Sequence, residues 1–193
     1  MAVEIDATVA QRAAAFGEAL RRRAREAAPR ARVTWVAADR LHVTVRFIGE
    51  VDERQAAAIR AALAPRLELD AFDLVVAGAG AFPPKGPPRA LFAGIAEGAE
   101  GLVAVEREVS ARLVACGVPP EGRAYRPHLT LARVREAAGL RSASLLEGAG
   151  AGTLGAMRAD AITLFQSRLS PEGPAYEALQ RTPLRGAAVE ARS

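Results

Sequence analysis

The chain contains two histidines, His42 and His128, and each is followed two residues later by a threonine: His42-Val43-Thr44-Val45 and His128-Leu129-Thr130-Leu131. With seven threonines in 193 residues, coincidence would place one at that offset from both histidines on the order of once in a thousand. The apolar residues between and after suit strands, in which successive side chains alternate faces. On such a strand His42, Thr44 and Arg46 share one face while Leu41, Val43, Val45 and Phe47 share the other, which packs. An imidazole and a hydroxyl two residues apart stand about 6 to 7 Å from each other and can converge on one small ligand. The second tetrad repeats the arrangement, and Pro127 at its head fits the first position of a strand.

Two strands that each supply one imidazole and one hydroxyl form a nearly two-fold site for a tetrahedral phosphoryl group flanked by an entering and a leaving oxygen. A neutral histidine can take a proton from the entering group, a protonated one can give a proton to the leaving oxygen, and the hydroxyls can hold the non-bridging oxygens. Imidazole titrates near neutrality, so both protonation states are accessible. A single histidine would read as a core side chain bonded to backbone, but two matched copies argue against that. A metal centre needs three or four converging ligands, and neither tetrad holds a carboxylate; Asp39 and Glu50 flank only the first. No metal is expected. A Ser or Thr nucleophile lacks a recognisable elbow.

Charge is mild overall, at +4, yet locally uneven. Arg30, Arg32, Arg40 and Arg46 surround the first tetrad against Asp39, and Arg123, Arg126, Arg133 and Arg135 surround the second against Glu121. Such surroundings suit a polyanion. Arg46, Arg126 and Arg133 are the candidate substrate-binding cations. Gly150, Gly152 and Gly155 spell a dinucleotide fingerprint, but a helix precedes and a strand follows, the reverse of what that motif needs, so a surface loop is expected there. Gly80 to Lys85 lacks P-loop spacing, and prolines stand where phosphate-binding amides belong.

The elements that must position these residues read as follows. Apolar periodicity predicts helices over 8–27, from the Asp52 cap to Leu63, and over 98–116, with a short one over 137–147. Strands are predicted over 32–47, 72–77, 90–96, after Pro127, 160–169 and 175–181. The order lacks regular βαβ alternation and favours α+β with antiparallel sheet. Cys116 falls on the apolar stripe of the third helix and reads as a packing residue. A lone cysteine, no long apolar run and a charged N-terminal helix point to a cytoplasmic protein without membrane contact.

The chain resembles the two-histidine phosphoesterases, and among them the RNA 2',3'-cyclic phosphodiesterases, also called RNA 2'-5' ligases. The matching stretches are Trp35 with Leu41 to Glu50, Gly78 to Pro83, Arg126 to Val134, and Ile162 to Ser167, in family order over most of the chain. The resemblance implies an α+β, bilobal fold: antiparallel sheets from two pseudo-symmetric lobes around a central cleft, with helices outside. It implies one domain over 1–193, for which residues 186–193 are expected to form a flexible tail. It further implies hydrolysis of a terminal RNA 2',3'-cyclic phosphate to a 2'-phosphate, with His42 as proton donor and His128 as proton acceptor. No cofactor or obligate protein partner is implied, and the substrates would be RNA with cyclic phosphate ends or cyclic nucleotides. The opening segment Ala2-Val3-Glu4-Ile5-Asp6 is a short, acidic version of the family's apolar first strand. Two alternatives stay open: joining of cyclic-phosphate and 5'-hydroxyl RNA ends by the same groups, and a nucleotide-binding module without turnover.

Overall fold

A computed structural model describes residues 1–148, 152–170 and 173–187. Gly150 and residues 188–193 of the expected tail lie outside the described residues. The elements run β1 (Ala2–Glu4), α1 (Ala7–Ala27), β2 (Arg32–Trp35), a 3-10 turn (Ala38–Arg40), β3 (His42–Thr44), α2 (Glu53–Leu63), β4 (Phe72–Phe82) and β5 (Ala90–Glu97). They continue with α3 (Ala99–Ala115), β6 (Leu129–Glu136), α4 (Ser142–Leu146), β7 (Thr153–Ala159), β8 (Ala161–Ser170) and β9 (Gly173–Pro183).

The strands are ordered β7-β4-β5-β6-β3-β1-β8-β9, with β2 added beside β6, and every pairing between them is antiparallel. This is the α+β antiparallel architecture that the element order predicts. The path divides into two halves of four strands, β9-β8-β1-β3 and β6-β5-β4-β7, joined where β3 meets β6. That seam is a single registered pair, Val43 with Leu129, and both side chains are fully buried. Antiparallel geometry then sets His42 across from Thr130 and Thr44 across from His128, all four on the opposite face from the buried pair.

The helices support this face from behind and from the side. In α1 the Asp6 carboxylate caps the first turn by accepting from the Thr8 and Val9 amides at 2.7 and 3.4 Å. Its buried stripe of Val9, Ala10, Ala13, Leu20 and Ala24 packs on β7 and β6. In β7, Gly155 lies so near Val9 that a Cβ would stand 2.8 Å from its Cγ2. The expected glycine loop is therefore in part a strand, and the glycine serves helix packing. Helix α3 buries Leu102, Val105, Val109 and Leu113, and its Arg112 donates to the carbonyls of Ala62, Pro65 and Arg66, which terminate α2. The half-buried Cys116 sits between these helices, donating to the Ala58 and Arg112 carbonyls.

Two expectations need correction. The strand predicted over 32–47 is broken into β2, the 3-10 turn and β3. Alternation fails past Thr44 because one acceptor, the Met1 carbonyl, takes both the Val45 and Arg46 amides, at 2.9 and 3.2 Å. Phe47 is consequently 65 % exposed instead of packed, and Arg46 is buried. The helix predicted over 137–147 shrinks to the five residues of α4. Strand β7 was not predicted, β1 forms at the short opening segment, and β4 runs on to Phe82 because Gly78 takes up a bulge at positive φ and Gly80 pairs with Phe92.

Leu129→Ala removes one side of the fully buried seam and is expected to lower stability by about 2 to 5 kcal/mol. Urea unfolding followed by circular dichroism measures this, and a loss under about 1 kcal/mol would mean that the seam is not packed as described.

Candidate active site

Each histidine is held in the same way. His42 Nδ1 donates to the Arg40 carbonyl at 2.9 Å, and His128 Nδ1 donates to the Arg126 carbonyl at 2.6 Å. A carbonyl only accepts, so Nδ1 carries hydrogen in both rings and Nε2 is the nitrogen left for chemistry. The side-chain hydroxyls of Thr44 and Thr130 are half-buried and have no hydrogen-bond partner among the described residues. Four polar groups thus share one face of the seam with unused bonding capacity.

Aromatic rings wall each imidazole. His42 lies 5.2 Å from the Tyr176 ring and 6.2 Å from Phe165, while His128 lies 5.0 Å from Phe82 and 5.3 Å from Phe92. The first pair comes from β9 and β8, the second from β4 and β5, so Phe165 and Phe82 stand on equivalent strands of the two halves whereas Tyr176 and Phe92 do not. Gly80 makes the second wall possible, because a Cβ there would stand 2.3 Å from the Phe92 ring. Burial lowers both imidazoles from their ordinary value of 6.5; the carbonyl bonds at Nδ1 oppose this, and the Arg133 guanidinium lowers both further.

Arg133, exposed, acts electrostatically on both rings, and a β-bulge sets its face. In the β5–β6 register Phe92 pairs with Thr130, Leu91 with Ala132 and Ala90 with Arg133, which leaves an extra residue on β6. The extra residue shifts parity, so Arg133 shares a face with Thr130. Simple alternation would have turned it away. The other two candidate cations are placed differently. Arg126 is exposed, and its contribution to the site is its backbone carbonyl. The Arg46 side chain is 4 % exposed, with Nη1 on Glu121 Oε2 at 3.0 Å and Nη2 on the Pro119 carbonyl. Its guanidinium is thus committed to the segment that leads to His128. Tyr125 makes a second tie, donating its hydroxyl to the Thr44 carbonyl at 2.9 Å.

Residue reasoning missed Phe82, Phe92, Phe165, Tyr176 and Glu4 as members of this site, although Phe82 and Phe165 stand in stretches that carry the family resemblance. Glu4 pairs with His42 across β1 and β3, and its carboxylate accepts from Thr163 Oγ1 at 2.6 Å. Four of the chain's nine aromatic residues surround its two histidines, but only strand register reveals it. Among the described residues no three His, Cys, Asp or Glu side chains cluster as metal ligands, and no helix is long and apolar enough to cross a membrane.

A two-histidine site at the seam of a pseudo-symmetric antiparallel sheet defines a phosphoesterase of this architecture. The model of the 2'-5' RNA ligase superfamily matches residues 9–170, and the chain belongs to that family, the two-histidine phosphoesterases. It is similar to the RNA 2',3'-cyclic phosphodiesterase of Aeropyrum pernix, at 37 % identity over 73 % of this chain and 80 % of the relative. The protein of that name from Thermus thermophilus is 37 % identical over 76 % of this chain and 73 % of its own length. That from Methanothermobacter thermautotrophicus is 32 % identical over 76 % and 79 %. Among solved structures, TT0787 of Thermus thermophilus superposes with a TM-score of 0.70 at 27 % identity, covering 96 % of both chains. Escherichia coli LigT complexed with 3'-AMP shares the fold, with a TM-score of 0.69 at 23 % identity over 95 % of each.

With only two histidines, ring resonances from a proton titration followed by NMR are assignable directly. Arg133→Gln is expected to raise the pKa of both, because it removes a shared positive neighbour. Phe92→Ala should raise only His128 and Tyr176→Ala only His42, by returning water to one ring. Movement of a single histidine in Arg133→Gln would show that the guanidinium is not shared.

Proposed function

We propose that this chain hydrolyses the terminal 2',3'-cyclic phosphate of RNA to a 2'-phosphate by metal-independent acid/base catalysis. The observation that carries the reading is the seam itself, where two imidazoles with free Nε2 atoms and two unpartnered hydroxyls share one face. The names of the relatives give the substrate class. His128, neutral at Nε2, accepts a proton from water as the water oxygen attacks phosphorus. The bond from phosphorus to the 3' oxygen breaks, and His42, protonated at Nε2, gives its proton to that oxygen. Thr44 and Thr130 donate to the non-bridging oxygens, and Arg133 balances the charge that builds on them. Arg126 is retained for the upstream backbone by virtue of its exposed charge, whereas Arg46 serves to hold the second tetrad against the first.

The family description also favours a second reading, in which an RNA 5'-hydroxyl replaces water as the group that His128 activates and a 2'-5' bond results. Incubating a cyclic-phosphate oligonucleotide with the protein in chelator, with and without a 5'-hydroxyl partner, separates the two by product length. Hydrolysis should leave an end that resists 3'-phosphate-specific enzymes but yields its phosphate to a non-specific phosphatase. A 3'-phosphate product would reverse the roles given to His42 and His128, and no reaction would set the nucleotide-binding module in their place.

His42→Ala and His128→Ala should each lower kcat by about 10² to 10⁴ with the fold intact, and Thr44→Ala or Thr130→Ala by about 10 to 10³. Near-normal turnover by either histidine variant would end the mechanism.

The kcat/KM profile of the free enzyme should be bell-shaped and centred on the acid side of 6.5, since burial lowers both imidazoles. The kcat profile should lie to its alkaline side, because a bound phosphate anion favours imidazolium. The limbs belong to the pair, and removing His42 should abolish the alkaline limb while removing His128 abolishes the acidic one.

A further inference from the structure

The two halves of the sheet are matched in strands but not in what stands beside the histidines. On the His128 half, the Phe82 and Phe92 rings stack at 4.4 Å and fill their own space. On the His42 half, Phe165 and Tyr176 meet edge-on at 6.2 Å, and a cavity of about 380 Å³ opens between them, α1 and the 3-10 turn. Its size is that of small-ligand sites, which run from roughly 300 to 1,000 Å³. Ala7 and Ala10 on α1 keep it open by being small, and Tyr176, 41 % exposed, offers a flat apolar face. The halves also differ in charge. Glu4 pairs with His42 across β1, whereas the equivalent place beside His128, one step beyond the Ala93–Leu129 pair, is Gly94.

We propose that this cavity is the subsite for the base of the nucleotide carrying the cyclic phosphate, and that Glu4 and Asp39 make it select bases bearing an amino group over uracil. The inference rests on the function proposed above. If His42 protonates the 3' oxygen, the terminal ribose lies on the His42 side, and its base must enter the space bordering that ring. The polar groups there set which base. Glu4 accepts from Thr163 through Oε2, which orients the carboxylate and leaves Oε1 for a ligand, and Asp39 has no side-chain partner among the described residues. Carboxylates only accept hydrogen bonds. Adenine, cytosine and guanine each offer an amino donor on the base-pairing edge. Uracil offers one N–H between two carbonyls, which a carboxylate repels.

The test is kcat/KM for the four 2',3'-cyclic mononucleotides in competition, using the whole chain. The uridine substrate should fall about tenfold or more below each of the other three, in line with one well-formed base-edge contact. Glu4→Gln, whose amide can also donate, should cut that ratio below about threefold by raising turnover of the uridine substrate. A smaller starting ratio, or an unchanged ratio in Glu4→Gln, overturns the proposal. Asp39→Asn, exposed in the 3-10 turn, repeats the test should Glu4→Gln unfold. Calorimetry with the four nucleoside 2'-phosphates reads the same discrimination without turnover. Absence of hydrolysis of all four would therefore count against the proposed function alone, while equal affinities would count against the subsite.

Discussion

One antiparallel pair, Val43 against Leu129, sets the geometry on which the site depends. Among the described residues it is the one registered pair through which β3 and β6 join, and it carries two fully buried side chains on one face. A slip of one residue by either strand would turn its Val43 or Leu129 out of the core and its own histidine into it, so burial defends the register strongly. The four polar groups on the other face inherit that precision at no further cost in ordering. An antiparallel pair also has a local two-fold axis, and the matched placement of the two imidazoles and two hydroxyls on one face follows from it.

The remaining structure secures this pair and then breaks its symmetry. Arg46 and Tyr125 fasten the segment before His128 to the end of β3, so the second tetrad reaches the seam already aligned. The Arg46 ion pair with Glu121 joins a buried charge to one that is half exposed, which eases the desolvation that a fully buried pair would suffer. Carbonyls two residues upstream lock both imidazoles into one tautomer, and aromatic walls keep water from their flanks. Equal environments would give equal proton affinities. The neighbours are unlike, since the Met1 amino terminus lowers His42 and has no counterpart at His128, and Glu4 beside His42 corresponds to Gly94 beside His128.

Much of this was legible in the residues themselves. The doubled His-x-Thr spacing identified the four central groups because a strand has a period of two, and that local rule holds wherever the backbone is extended. Helix stripes and caps were legible for the same reason: Asp6, Asp52 and the apolar series of α1 and α3 act within a few residues of themselves. The α+β class followed from element order. What local rules could not give is anything that depends on partners far along the chain. The Met1 carbonyl ends alternation at Thr44 and buries Arg46, a bulge on β6 turns Arg133 toward both histidines, and strand order brings Tyr176 and Phe82 to rings they are distant from in sequence. These were decided by the tertiary structure because hydrogen-bond register between strands is a property of the pair, and neither strand carries it alone.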